Sequence, residues 1–343
     1  MNVVILGAGS FGTALALVLA DNGHRVKIWS HLEEIAKEIN EKRENAIFLP
    51  EVPLSNTITA THQFEEAFEN AELVLSVVPT QVTREVWEKA KNHLPPEVLI
   101  ISASKGIEQG TLKLVNEIII DEIGVENKDR LLFLSGPSFA KEVARKIPTL
   151  VTIAGNNKEN IMKAQHIFKN AYFRTYGTTD VIGVELGGAL KNIIALACGI
   201  SDGLGMGHNS RAAIMTRGLA EIARLGIAMG AKPVTFMGLA GVGDLILTCT
   251  GDLSRNRSVG LQIGFGKKVD EILKDMRMVA EGVTTTESAY QLSKKKNVEM
   301  PITEYAYEIL YKGRSPADTL KDMMSRKLRF EEDNVEDNEE ALL

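Results

Sequence analysis

The chain opens on a short apolar run, Asn2 to Leu6, followed at once by Gly7-Ala8-Gly9-Ser10-Phe11-Gly12 and the helical pattern TALALVLADNG. No other stretch restricts the fold as strongly. A GxGxxG spacing between a strand and a helix is a dinucleotide-binding turn. Gly7 permits the tight turn, Gly9 lets a pyrophosphate approach the backbone, and Gly12 lets helix and strand pack closely. The helix start then offers free N–H groups and the positive end of its dipole to phosphates. A ligand-free βα turn can share the glycines. The clean strand before them and the clean helix after them favour a bound dinucleotide.

The end of the second strand, Arg25 to Trp29, bears on which dinucleotide. NAD-selective folds place Asp or Glu there against the ribose 2′-hydroxyl. Here Ser30 and His31 stand in that place, and the first acid is Glu33. Without a carboxylate to repel a 2′-phosphate, NADP(H) is expected, or tolerance of both NADP and NAD. His31 reads equally as an exposed residue at a helix start.

Further strands are expected at Glu72 to Val78, Val98 to Ser102, Leu131 to Leu134, Leu150 to Ala154 and Ala171 to Thr175. The polar stretch from Glu33 to Glu69 holds a loop around Phe48 to Pro53. Strands alternating with helical patterns predict a mostly parallel sheet wound on both faces. Thr80 is placed to cap a helix. Lys105 lies just past a strand's carboxyl end, where ligands bind in open α/β sheets, although a solvated loop lysine would sit there too. The turn from Ser135 to Ala140 also follows a strand and offers hydroxyls and N–H groups. After about Tyr176 the periodicity is helical through Arg329. The 343 residues suggest about two domains. The expected fold is α/β plus all-α: a Rossmann doubly wound domain over 1–178, an all-helical domain over 179–329, and a disordered acidic tail over 330–343.

Composition excludes several classes. A net charge of −6 and a pI near 5.7 argue against a general nucleic-acid binder, while one local cluster of Lys and Arg suffices for an anionic small substrate. Cys198 and Cys249 are the only cysteines and form no CxxC, and the six histidines are scattered. No metal site or disulfide framework is expected. The first residues lack the features of a signal peptide, so a cytoplasmic protein without stable membrane insertion is expected.

Within Gly183 to Gly207, residues Leu186 to Ile200 are almost wholly apolar or small, with Lys191 in the middle. This run reads as a buried helix and as too short for a membrane span of about 18 or more apolar residues. Gly187 and Gly188 would let neighbours, the cofactor domain included, approach closely. A buried lysine is costly unless paired or partly neutral. Alternatively its stem lies on apolar surface and its ammonium reaches water. Asp180 or Thr179 is placed to cap this helix. Asp244 and Thr248, four residues apart, share a helix face. Ser254-Arg255-Asn256-Arg257 supplies planar donors suited to a phosphate, or else a solvated pair of arginines. Glu281 reads as an acid at a helix start.

Taken in order, GAGSFGTALA, VVPTQ, SASKGIE, SGPSFAKEV, GVELGGALKNIIALACGISDGL, GVGDLILTC, SRNRSVG, AEGVTTTES and MPI resemble the NAD(P)-dependent sn-glycerol-3-phosphate dehydrogenases over residues 1 to about 325. Trp or Phe is common in that family at position 11, and Ser where Thr80 stands. The resemblance implies reversible reduction of dihydroxyacetone phosphate to sn-glycerol 3-phosphate for glycerophospholipid synthesis. It implies a helical domain like that of 6-phosphogluconate dehydrogenase, and a homodimer is expected. By resemblance, Lys191 is the general acid/base. Lys105, Gly136, Ser138, Asp244, Ser254, Arg255 and Asn256 line the substrate site. Ser10, Phe11, His31, Lys105, Ala140, Arg255, Val279 and Glu281 touch the cofactor, beside Gly7, Gly9 and Gly12. Asn192 and Thr248 belong to the same polar cluster. An apolar surround and the charges of Lys105 and Arg255 should lower the Lys191 pKa from about 10.4, with Asp244 opposing. The rival readings are a 3-hydroxy-acid dehydrogenase of similar build and a non-catalytic nucleotide sensor.

Overall fold

The computed structural model describes residues 1–274, Met276 and 280–328. The expectations for Val279 and for the acidic tail lie outside the described residues. Eight strands form one sheet in the order β3-β2-β1-β4-β5-β6-β7-β8. They are β1 Asn2–Leu6, β2 Arg25–Trp29, β3 Ile58–Thr61, β4 Leu73–Ser76, β5 Leu99–Ser102, β6 Leu131–Ser135, β7 Thr149–Gly155 and β8 Phe173–Thr178. The central strands are apolar runs buried on both faces, as a sheet covered by helices requires. All neighbouring pairs are parallel except β6 with β7.

The register positions the site. Leu6 pairs with Ser76, Ser76 with Ser102, and Ser102 with Phe133. The carboxyl ends of β1, β4 and β5 therefore lie in one line, and β6 runs two residues past it to Ser135. Gly7, Val77, Ala103 and Gly136 open from the same edge. Chain order reverses between β1 and β4, the switch point where such sheets bind ligands.

Two local expectations need correction. β3 lies inside the stretch read as polar and without strands. Its four residues, ITAT, are too few to show a period among polar neighbours, and only pairing with β2 defines them. Thr80 is not a side-chain cap. It stands in a 3₁₀ turn, and its buried Oγ1 has no hydrogen-bond partner among the described residues.

The helices used below are α1 Ser10–Asp21, α2 Val115–Ile123, α3 Val181–Gly203, α4 Gly207–Ala228, α5 Asp244–Thr250, α6 Arg255–Gly264 and α7 Glu281–Lys296. Among the described residues no strand follows Thr178. Asp180 caps α3, accepting a 3.0 Å bond from the Gly183 N–H, and also accepts from the Lys232 N–H and the Thr235 hydroxyl. This cap extends the helix beyond the apolar run. At 23 residues, α3 is long and apolar enough to cross a membrane, so the argument from shortness fails. Its burial gives a better account: α4, α5, α6 and α7 pack around it, and it forms the core of the helical domain.

Glycines set how closely these elements meet. A Cβ on Gly199 would lie 2.1 Å from the Arg257 carbonyl oxygen, and one on Gly260 would lie 2.1 Å from that of Leu196. Helices α3 and α6 thus cross with their backbones in contact. Of the adjacent pair, only Gly188 faces the first domain, where a Cβ would meet the Ser135 hydroxyl at 2.7 Å. Gly187 instead faces the Ala240 carbonyl in the second domain.

Candidate active site

Asp244 organises the polar centre. A π-helical turn, Leu239–Gly243, leads into α5 and places Asp244 at that helix's first position. Its Oδ1 accepts from Lys191 Nζ, and its Oδ2 accepts from Lys105 Nζ at 2.8 Å. Lys105 also reaches the Gly136 carbonyl at 3.4 Å, and Ser138 Oγ donates to that same carbonyl at 2.9 Å. Gly136 has φ +139°, and a Cβ there would stand 3.0 Å from the backbone of Val151. The turn after β6 therefore needs a glycine.

Lys191 has three N–H donors. One goes to Asp244 and one to Thr248 Oγ1 at 2.9 Å. Thr248 donates its own hydrogen one turn back to the Asp244 carbonyl at 2.6 Å, which leaves its oxygen free to accept. The third Lys191 donor has no partner among the described residues. Burial lowers the Lys191 pKa to about 8, with Asp244 opposing and the charge of Lys105 adding to the fall. Arg255, expected to share in this, is coupled instead to Glu281. Burial alone would raise the Asp244 carboxyl. The charges of Lys105 and Lys191 outweigh it and hold Asp244 below the usual carboxylate range.

A second polar group knits the helices behind this centre. The Asn256 amide donates to Asn192 Oδ1 at 2.9 Å and accepts from the Gly282 N–H at 2.9 Å, which joins α6, α3 and α7. Ser254 caps α6 by accepting from the Arg257 N–H. The two arginines of the SRNR run part here. Arg257 is held by Asp202 at 2.9 Å and Asp252 at 3.0 Å. Arg255 is exposed, with no hydrogen bond among the described residues. It stands at the start of α6, where N–H groups and dipole favour an anion.

The nucleotide turn is shaped as its glycines require. Gly7 has φ +114°, and a Cβ on it would lie 2.9 Å from the Val77 carbonyl. A Cβ on Gly12 would lie 2.1 Å from the Gly7 carbonyl, whereas beside Gly9 there is open space. That opening at the head of α1 fits a pyrophosphate. Ser10 Oγ donates to the Phe48 carbonyl at 2.5 Å, and Phe11 packs partly buried against the sheet core. His31 is exposed past β2, with no acid at the strand end. Ala140 begins the short helix Ala140–Ala144 after the Ser138 turn. Glu281, at the start of α7, accepts from the Thr80 N–H at 3.0 Å across the domains. Burial raises its pKa to about 7, while the Thr80 N–H and Arg255 restrain the rise. No hydrogen bond among the described residues ties His31, Phe11 or Ala140 to the Lys191 centre.

Sequence reasoning named Ser135 only as part of a turn and missed Glu185; both are buried and line a small pocket with Lys105. For Glu185 a signal was present: Glu185 and Gly188 are three residues apart, one helix face.

The family descriptions "NAD-dependent glycerol-3-phosphate dehydrogenase N-terminus" and "C-terminus" match residues 2–161 and 180–321. A glycerol-3-phosphate dehydrogenase [NAD(P)+] of Citrifermentans bemidjiense is 53% identical over 329 residues, 96% of this chain and 98% of the relative. One of Geobacillus thermodenitrificans is 52% identical over 326 residues, covering 95% of each chain. The crystal structure of glycerol-3-phosphate dehydrogenase from Coxiella burnetii superposes with a TM-score of 0.90 at 38% identity, over 95% of this chain and 99% of that one. With both parts matched in order over nearly the whole chain, the chain belongs to the NAD-dependent glycerol-3-phosphate dehydrogenase family.

Proposed function

We propose that this chain reversibly reduces dihydroxyacetone phosphate to sn-glycerol 3-phosphate, the backbone precursor of glycerophospholipids. The observation that carries the chemistry is Lys191: a buried ammonium with two protons committed to Asp244 and Thr248 and the third without a partner among the described residues. Held by the Gly7–Gly12 turn, a nicotinamide cofactor would supply or take the hydride. Lys191 gives its free proton to the oxygen that becomes the hydroxyl and is left as a neutral amine. In oxidation the neutral amine takes that proton back. Fixed positive charge beside a developing alkoxide also stabilises the transition state. Asp244 stays ionised throughout and orients both lysines. Lys105, Ser138 and the Gly136 turn face the substrate from the sheet side.

The substrate phosphate sits at Arg255 and the start of α6, helped by Ser254 and the second N–H of the Asn256 amide. Gly7, Gly9, Ser10, Phe11, Gly12, His31, Ala140 and Glu281 form the cofactor side, and the family resemblance alone adds Val279. The exposed His31 and the lack of an acid after β2 support NADPH alongside NADH. We assign residues 1–178 to cofactor binding and 179–329 to the substrate, and infer a cytoplasmic homodimer. Loss of cofactor absorbance with dihydroxyacetone phosphate, measured with NADPH and NADH in parallel, tests the reading. No rate with either cofactor overturns it.

A further inference from the structure

The helix that carries Lys191 holds a second buried ionisable group that the proposed mechanism does not use. Glu185 is 7% exposed. Its Oε1 accepts a 2.9 Å bond from the Asn116 N–H in the first turn of α2. That N–H has no partner within its own helix. Directly before α2 runs the segment 103–114, which leaves β5 and carries Lys105. An Ile107–Leu114 bridge closes the segment, and the Gln81 side chain binds the Ile107 carbonyl at 2.9 Å. Glu185 thus fastens the far end of this loop to α3.

The other oxygen faces the near end. Glu185 Oε2 has no partner among the described residues, and neither does Ser135 Oγ. Both residues line a small pocket with Ser102, Ser104, Lys105 and Phe133. The pocket has room for a water centre of about 10 Å³, about one molecule. One helical turn on, a Cβ at Gly188 would meet the Ser135 hydroxyl at 2.7 Å and the Lys105 stem at 3.5 Å. The absence of a side chain there lets the lysine's base lie against α3.

We propose that Glu185 is a positioning residue, clamping the Lys105 loop to the helix of Lys191 and so fixing both ammonium groups on Asp244. The proposal rests on the functional reading above. Burial pushes the Glu185 carboxyl well above its ordinary range. The Asn116 N–H opposes that shift and neighbouring Glu117 adds to it. In its protonated form it accepts at one oxygen and can donate from the other, which lines the serine pocket. A buried carboxyl with one oxygen unpaired is a poor packing choice, because an apolar side chain of similar size avoids its desolvation. The bond from the Asn116 N–H offsets only part of that cost.

The full-length chain and its Glu185→Gln, Glu185→Leu and Glu185→Met variants test this. Leu and Met shed the carboxyl's desolvation but leave the Asn116 N–H without its acceptor, so Tm should change little, while KM for dihydroxyacetone phosphate rises and kcat/KM falls between about tenfold and about 10²-fold. Glutamine keeps an acceptor and a donor and should stay within about twofold of wild type. Wild-type kcat/KM in Leu and Met overturns the clamp, as does a loss that only follows Tm or a Gln variant as impaired as Leu. A crystal structure of the Met variant reads the clamp without activity. A retained Lys105–Asp244 pair overturns it, and a displaced Lys105 supports it. An inactive wild type would instead count against the functional reading.

Discussion

Lys105, on the loop after β5, places its ammonium 2.8 Å from Oδ2 of Asp244, a carboxylate 1% exposed in the helical domain. The contact spans 139 positions in sequence and joins the sheet to the helical part of the chain. The same carboxylate binds Lys191 through its other oxygen. One anion thus holds two cations that would otherwise repel each other.

Asp244→Asn removes that shared charge. Breaking a buried pair from one side costs about 3–5 kcal/mol, so a lower Tm is expected. Without the carboxylate the Lys191 pKa should fall further. The acid limb of the glycerol 3-phosphate oxidation profile should then move to lower pH, read in any activity that remains.

Lys191→Ala takes away the proposed proton donor and acceptor. Turnover should fall by on the order of 10² to 10⁴, while NADPH affinity, followed by fluorescence titration, is largely kept. Near-normal turnover would remove the lysine from the mechanism.

The pH dependence should differ between directions. Oxidation needs the neutral amine, so its rate should rise through about pH 8. Reduction needs the ammonium, so its rate should fall through the same region. Profiles of kcat/KM in both directions check the sign, and matching slopes in the two would contradict the assignment.

The paired arginines give opposite expectations. Arg255→Ala should raise KM for the phosphorylated ketone, because a charge-assisted bond contributes about 1.5–3 kcal/mol, with Tm little changed. Arg257→Ala removes one of the two arginines on Asp202, which keeps Arg211, and should lower Tm while KM stays close to wild type. Kinetics and thermal melts on the same two proteins separate the roles.

Gly199→Ala tests the helix crossing. The new methyl would lie 2.1 Å from a backbone carbonyl that no rotamer change can move. Such overpacking costs about 1–3 kcal/mol, and a matching drop in Tm is expected. A melt at the wild-type temperature would show that α3 and α6 separate freely.

The sequence by itself determined the nucleotide turn, most of the strands, the change to helices after β8 and the residue types of the site. These are local signals: glycine spacing, short apolar runs and helical periodicity report on neighbours a few positions apart. The ordered family motifs carried the rest of the functional reading. Only the tertiary structure decided which partners those residues take. It gave Asp244 to Lys105 and Lys191, held Arg257 in place and left Arg255 exposed, and buried Glu185 under the Lys105 loop. It also defined β3, whose four residues become a strand only beside β2. The physical reason is separation. Lys191 and Asp244 stand 53 positions apart, and Asn116 and Glu185 stand 69 apart. The charge and burial that set their chemistry arise only when distant loops and helices converge.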